Sequence, residues 1–293
     1  MNERRQHMNR REFVSSSLGI GLPISSGVLW NVPPQTPAGV TRFVRFRQAH
    51  GTAFGILEGK EIHEIRGDLF GSYQVTSKRH RLAAATLLCP IQPPKILGIG
   101  FNYPLEIGKR RPPDHPEMFY KPISAVQNPG DPIVWPEGAT RVAYESEMVV
   151  VIGKTCRKVS IQDAPSYIFG VTCGNDVSER EWQEGENHDL QWWRGKGCDT
   201  FAPFGPVISR GLDYNNLKLE GRLNGKTVQQ ASTSQMIYSS AVQVSFVSQY
   251  LTLVPGDIIY TGTPGATGLL RPGDVFEVEL EGVGVLRNPV VAA

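Results

Sequence analysis

Two glutamates placed two residues apart are the first feature of this chain that could do chemistry. Glu145 and Glu147 stand in "VAYESEMVVVIGK", Val142–Lys154, at the mouth of an unbroken apolar run from Met148 to Ile152 that Gly153 closes. Such a run reads as a buried strand. Residues i and i+2 of a strand point to one face, so both carboxylates face the same neighbour. Strands often show such pairs to solvent, and there they mean nothing further. At the edge of a core the two charges repel by several kcal/mol, so one takes up a proton or a cation sits between them. Asp176, in "GVTCGNDVSEREWQ", puts a third carboxylate at the end of another strand-like stretch. Three carboxylates without a neighbouring His or Cys form an oxygen-only donor set, which suits Mg²⁺, Mn²⁺ or Ca²⁺ and not zinc.

The elements that must position these groups are mostly short strands. "TRFVRFRQ" alternates, and "GTAFGILEGKEIHEI" reads as a hairpin turning at Glu58-Gly59-Lys60. "KRHRLAAATLL" has a more helical pattern, and Pro90, Pro93 and Pro94 then mark a boundary. This divides the chain into 1–38, a leader and Pro-rich linker, 39–90, a small β-rich N-terminal domain, and 91–291, one continuous larger domain. Within the last, "KILGIG", "MFYKP" and "DPIVWP" read as strands. "SIQDAPSYIFG" reads as a short helix behind a Ser160/Asp163 cap. "SSAVQVSFVSQYLTLVPGD" is the best helix, capped by Ser239 or Ser240, with Val242, Phe246, Gln249 and Leu253 at helical spacing and Pro255-Gly256 beyond its end. "PGDIIYTGTPG" and "PGDVFEVELEG" are turn-then-strand units. The fold class expected is α+β, strand-dominated.

Composition narrows the partners. The chain has 293 residues, 40% hydrophobic and 20% charged, as a soluble enzyme does. Its net charge of +2 is carried by Arg4, Arg5, Arg10 and Arg11 against Glu3 and Glu12, which leaves the rest balanced. A balanced body advertises neither nucleic acid nor a membrane surface, and no segment is long and apolar enough to span a bilayer. Arg10-Arg11-x-Phe13 before a weakly apolar, Ser/Gly-rich stretch resembles a twin-arginine export signal, which implies the periplasm; a basic tail on a cytoplasmic protein is the alternative. Cys89, Cys156, Cys173 and Cys198 include no C-x-x-C pair and are expected as free thiols.

Five segments carry a family resemblance in order: the E-x-E after Tyr144, "NDVSERxxQ", "QWWRGKGCDTFAPFGP", "PGDIIYTGTP" and "GDVFEVELEGVG". Together they resemble the fumarylacetoacetate hydrolase family over about residues 91–291. That resemblance implies a mixed β-roll and a homodimer. It also implies a divalent metal, usually Mg²⁺ or Mn²⁺, on Glu145, Glu147 and Asp176, acting as an electron sink for a small 2-oxo carboxylate substrate. It places Lys196 beside the developing oxyanion, and Arg180 and Gln183 on a helical turn facing the substrate. "TGTPG" would offer Gly262 and Thr263 to a carboxylate as an anion nest.

One motif departs from the family. Where its lid reads N-Y-x-x-H-x-x-E, this chain has "GFNYPLEIGKRRPPDHPE", shorter by three residues and without the histidine. Pro104 would resist the start of a lid helix. Glu106 is then the candidate proton carrier, with His115 or His188 as stand-ins for the histidine. Hydrolytic C–C cleavage of acylpyruvate-like 1,3-dicarbonyl acids, the family's frequent reaction, needs an activated water. Isomerisation or tautomerisation needs a proton shuttle, which Glu106 or Lys196 could supply, and decarboxylation of a β-keto acid needs mainly the electron sink. The sequence leaves hydrolysis narrowly ahead, with isomerase, tautomerase, decarboxylase and a non-catalytic metal-dependent dicarboxylate binder as alternatives.

Overall fold

The computed structural model describes residues 32–33 and 35–293. The twin-arginine-like segment lies outside the described residues. No described helix is long and apolar enough to cross a membrane, and the four cysteines are unpaired.

Strands dominate. A 12-stranded mixed sheet begins with Tyr73–Arg81, Glu61–Gly67, Gly51–Glu58 and Thr41–Gln48, continues through Ala202–Arg210, Ile168–Asn175, Ser146–Ile152 and Ile258–Tyr260, and ends on Ile96–Gly100 and Glu117–Lys121, with Leu87–Leu88 and Val126–Gln127 pairing beside Thr41–Gln48 and Ala202–Arg210. The first four strands therefore extend the sheet of the larger unit. Most pairs are antiparallel, but Ile258–Tyr260 runs parallel to Ile96–Gly100. A 5-stranded sheet, Lys226–Ser232, Lys218–Leu223, Val275–Leu280, Gly284–Ala292 and Ile133–Trp135, packs over one face.

The apolar run at residues 148–152 is explained by this layering. Met148, Val150 and Ile152 join the core shared with the second sheet, while Val149 and Val151 join a core on the opposite face with Phe43, Phe204 and Tyr260. A strand covered on both faces has no position for a polar side chain.

The hairpin at Gly59 forms as expected, with Gly59 in the left-handed region at φ +59. The helical pattern over "KRHRLAAATLL" does not: Tyr73–Arg81 is a strand and only Leu82–Ala84 makes a single 3₁₀ turn. The Ser160/Asp163 bonds are present, but the turn they precede is a 3₁₀ turn at Ala164–Tyr167. Four α-helices are described: α1 (Pro104–Ile107), α2 (Arg180–Glu184), α3 (Trp193–Gly197) and α4 (Ser240–Tyr250). Ser239 caps α4 by accepting from the Val242 N–H. Its buried face is Gln243, Val244, Val247 and Ser248, while Val242 and Phe246 are half-buried and Gln249 is exposed. Polar side chains take that face because they close the backbone of neighbouring loops. Ser245 Oγ donates to the Val159 carbonyl, and Ser248 Oγ accepts from the Val159 N–H.

Candidate active site

The carboxylates meet because of strand register. Ser146 pairs with Asn175 and Glu147 with Gly174, so Glu145 and Asp176 leave the ends of neighbouring antiparallel strands together. Two bonds lock this exit: the Asp176 N–H donates to the Glu145 carbonyl at 3.0 Å, and the Glu145 N–H to Asn175 Oδ1 at 2.9 Å. One ligand oxygen from each of Glu145, Glu147 and Asp176 lies within 4.8 Å of the others, and all three residues are buried.

Cations already surround two of the three. Lys196, on α3, donates to Glu145 Oε2 at 2.8 Å and Asp176 Oδ2 at 2.6 Å. Arg180, on α2, pairs with the other oxygen of Glu145. Lys121, the last residue of the Glu117–Lys121 strand, pairs with Asp176 Oδ1 and donates to the Val177 carbonyl at 3.1 Å. The two lysines respond oppositely to similar burial. Burial pulls both ammonium groups down, but Asp176 and Glu145 together outweigh it at Lys196, which is raised, whereas at Lys121 burial prevails over Asp176 and the value is lowered. Asp176 also resists burial: Lys121 and Lys196 hold its carboxyl down at about 2.

Glu147 is different. It makes no ion pair among the described residues and accepts only the Gly262 N–H at 2.6 Å. Burial, then the charges of Asp176 and Glu145, push its carboxyl well above the ordinary range. A buried carboxylate whose charge lacks a counter-ion, next to two more carboxylates, is what a hard divalent cation would neutralise. The donor set therefore fits Mg²⁺, Mn²⁺ or Ca²⁺.

A cavity of about 320 Å³ opens beside this centre, lined by Glu145, Lys196, Arg180 and Gln183 together with Glu106 and His188. Arg180 and Gln183 share α2, which Glu179 caps by accepting from the Trp182 N–H, and Arg180 donates to Gln183 Oε1 at 2.9 Å. Lys196 is aimed in part by aromatic rings: it lies 4.8 Å from the Phe119 ring centroid, and Phe119 packs edge-on against Trp192.

The lid residue Glu106 sits on α1. Pro104 does not prevent this turn but starts it, at the first helical position after Tyr103, where a missing N–H costs nothing. The Glu106 carboxylate folds back to accept the Phe101 and Asn102 N–H groups, each at 3.0 Å. Burial first and the charge of Glu145 second raise it to about 7, against the pull of those N–H groups and Lys196.

Gly262 and Thr263 serve the lid and the centre. The Gly262 N–H is spent on Glu147, and Thr263 Oγ1 accepts from Gln229 at 2.9 Å. A Cβ on Gly262 would meet Asn102 Cβ at 2.7 Å, and one on Gly265 would meet the Glu106 nitrogen at 2.7 Å and the Leu105 carbonyl carbon at 2.9 Å. The lid backbone thus rests directly on the "TGTPG" segment.

His115 is not brought to the site. Its ring stacks on Phe246 at 5.3 Å, its side chain is 56% exposed, and it does not line the cavity. His188 does line it, with Nδ1 held 2.9 Å from the Gly185 carbonyl. Sequence reasoning passed over Lys121, Asn102 and Gln229. The signal for Lys121 was a lysine inside an otherwise apolar strand pattern, "MFYKP".

A mixed sheet that holds three buried carboxylates and a lysine at the end of its central strands defines a carboxylate-centred enzyme of the β-roll class. A family model described as fumarylacetoacetate (FAA) hydrolase C-terminal matches residues 95–291, and one described as Rv2993c-like, N-terminal matches residues 41–90. The chain belongs to the fumarylacetoacetate hydrolase family. It is 38% identical over 219 residues to the mitochondrial oxaloacetate tautomerase Fahd2a of Rattus norvegicus, across 70% of this chain and 69% of that protein. The solved structure of a 2-hydroxyhepta-2,4-diene-1,7-dioate isomerase from Mycobacterium marinum aligns with TM-score 0.79 and 38% identity, over 86% of this chain and 98% of the other. A 5-carboxymethyl-2-hydroxymuconate delta-isomerase from Mycobacterium smegmatis aligns with TM-score 0.80 and 37% identity, over 86% of this chain and 100% of the other. The narrow preference for hydrolysis is not confirmed: the relatives above are named a tautomerase and two isomerases, although a fumarylacetoacetate hydrolase from Exiguobacterium antarcticum also aligns, at 30% identity and TM-score 0.77.

Proposed function

We propose that the protein is a divalent-cation-dependent isomerase or tautomerase of small 2-oxo carboxylates, moving a proton between carbon and enol oxygen without cleaving a C–C bond. Glu106 carries this reading: it is a carboxyl at the cavity, anchored by two backbone N–H groups and raised to about 7. A group with that pKa both accepts and returns a proton near neutral pH, which a shuttle requires. Among the described residues no histidine is hydrogen-bonded to Glu106 as the water-activating pair would require: its partners are the Phe101 and Asn102 N–H groups, and His188 Nδ1 faces the Gly185 carbonyl.

Glu145, Glu147 and Asp176 would hold the cation, which supplies electron withdrawal from the 2-oxo group of a chelating substrate. Lys196 presents its ammonium to the negative charge that gathers on the enol oxygen. Arg180 and Gln183 bind and orient the carboxylate end. Glu106 removes the proton next to the carbonyl and delivers it to the other end of the enol. A hydrolytic reading draws support from His188, the only histidine lining the cavity among the described residues.

Turnover with Mn²⁺ or Mg²⁺ on oxaloacetate, hydroxymuconate-type acids and acylpyruvates tests the proposal. Ketonisation followed in the ultraviolet, with deuterium entering the carbon next to the carbonyl and no cleavage product or CO₂, is the expected result. Stoichiometric release of a C–C cleavage product would overturn it.

A further inference from the structure

At the root of the lid, Asn102 is fully buried and uses every hydrogen-bonding group it has. Its N–H donates to Glu106 Oε2 at 3.0 Å, and its carbonyl accepts from the Ile237 N–H at 2.8 Å. In the side chain, Oδ1 accepts from the Tyr238 N–H at 2.8 Å. Nδ2 donates to the Tyr238 carbonyl at 3.0 Å and to the Thr261 carbonyl at 2.7 Å. One acceptor beside two donors is the pattern of a primary amide, and no hydroxyl or carboxylate reproduces it.

The bond to Thr261 reaches beyond the lid. The peptide joining Thr261 to Gly262 offers its carbonyl to Asn102 and its N–H to Glu147 Oε2, the latter at 2.6 Å. A peptide unit is planar and stiff, so its two ends cannot shift independently. A path therefore runs from the Glu106 carboxylate through the Asn102 backbone and amide to this one peptide, and from there to Glu147. Glu147 is fixed by strand register, so the lid is the end free to move. Gln243 Nε2 also donates to the Tyr238 carbonyl at 2.9 Å and the Thr261 carbonyl at 3.3 Å, so neither carbonyl loses its last partner when Asn102 is replaced.

We propose that Asn102 is the positioning residue that registers Glu106 against the cation ligand Glu147, by way of the Thr261–Gly262 peptide. Asn102 does not line the cavity and acts only through these bonds. That the positioned carboxylate carries a proton rests on the proposed function, whereas the register itself does not.

The test uses the full chain and two variants. Asn102→Ala removes the amide, and Asn102→Leu fills the volume that alanine leaves open, which keeps the test readable if alanine does not fold. In both, amide hydrogen exchange over residues 101–107 is expected to quicken at least about 10-fold, the scale of one or two lost buried hydrogen bonds. Exchange over Ser146–Ile152 and Mn²⁺ affinity should stay within about threefold of the wild type. Turnover should fall about 10- to 100-fold with KM changed less than about threefold, as for a displaced proton carrier. The Phe101 and Asn102 N–H groups hold the Glu106 carboxyl down, so loosening them should also move the rising limb of kcat/KM to higher pH. The charges around Glu106 stay the same in both variants: Glu145 and Lys196, and Arg110, Arg180 and Glu184 in the shared cavity. Unchanged exchange over 101–107, a limb that stays put while turnover falls, or a parallel loss of Mn²⁺ affinity overturns the proposal. Quickened lid exchange in the variants of a protein whose wild type isomerises none of the acids leaves the register standing and removes the proposed function instead.

Discussion

Glu147 is 1% exposed and fixed by the register of a seven-residue and an eight-residue strand, whereas Glu106, at the edge of the same site, rides on a turn of four residues. The first is held by two layers of core and the Gly262 N–H, beside a network of buried ion pairs made by Glu145 and Asp176. The second is held by two backbone hydrogen bonds and by close contact with Gly265. The contrast separates two jobs. The centre has to keep like charges together, and only a buried frame can resist their repulsion. On the proposed chemistry the lid has to hand a proton back and forth, which suits a half-buried group whose pKa lies close to neutral.

The comparison breaks most severely at the centre. Glu147→Gln keeps the shape and an acceptor for the Gly262 N–H but removes the uncompensated charge. Mn²⁺ affinity should fall at least about 10³-fold, with circular dichroism unchanged. Undiminished affinity by calorimetry would sink the ligand assignment. Glu106→Gln should lower turnover about 10²-fold with metal affinity intact.

The sign of the pH dependence follows from the same group. As a proton acceptor Glu106 has to be ionised, so kcat/KM should climb as pH rises towards about 7 and level off above it. The variant should lose that limb. A cation on Glu145 offsets the second cause of the shift, so saturating Mn²⁺ should move the limb to lower pH. A raised carboxyl also binds its proton more tightly folded than unfolded. Its contribution to stability is therefore present in acid and lost as pH rises from the ordinary carboxylate range towards 7.

Gly265→Ala should cost about 10-fold in turnover, because a methyl group there meets the Glu106 and Leu105 backbone and φ is +85. Stability measured in urea should change by no more than about 1–3 kcal/mol. His115→Ala, at the far end of the scale, should alter kcat/KM less than about twofold. A larger loss would mean that the lid extends further than its one helical turn.

How much of this was legible in the sequence follows the same division. The strands and the three carboxylates were readable because a two-residue period and carboxylates at the ends of strand-like stretches are local facts. Lys121 was not, since its partner Asp176 is 55 residues away and only sheet pairing brings it near. Pro104 was misjudged because the rule against proline inside a helix reverses at its first position. The α4 face was misassigned because apolar period assumes that burial and hydrophobicity coincide, and there Gln243 and Ser248 are buried to serve neighbouring backbone.

The seat at Gly265 has one more implication. The lid meets it through the Glu106 nitrogen and α-carbon and the Leu105 carbonyl carbon, atoms that every residue possesses. Such a seat registers position and is blind to side-chain identity. The lid can therefore lose a histidine or shorten by a few residues while the carboxylate at 106 stays where it was. Reaction type and substrate preference become separately editable, on a platform that does not have to be rebuilt each time.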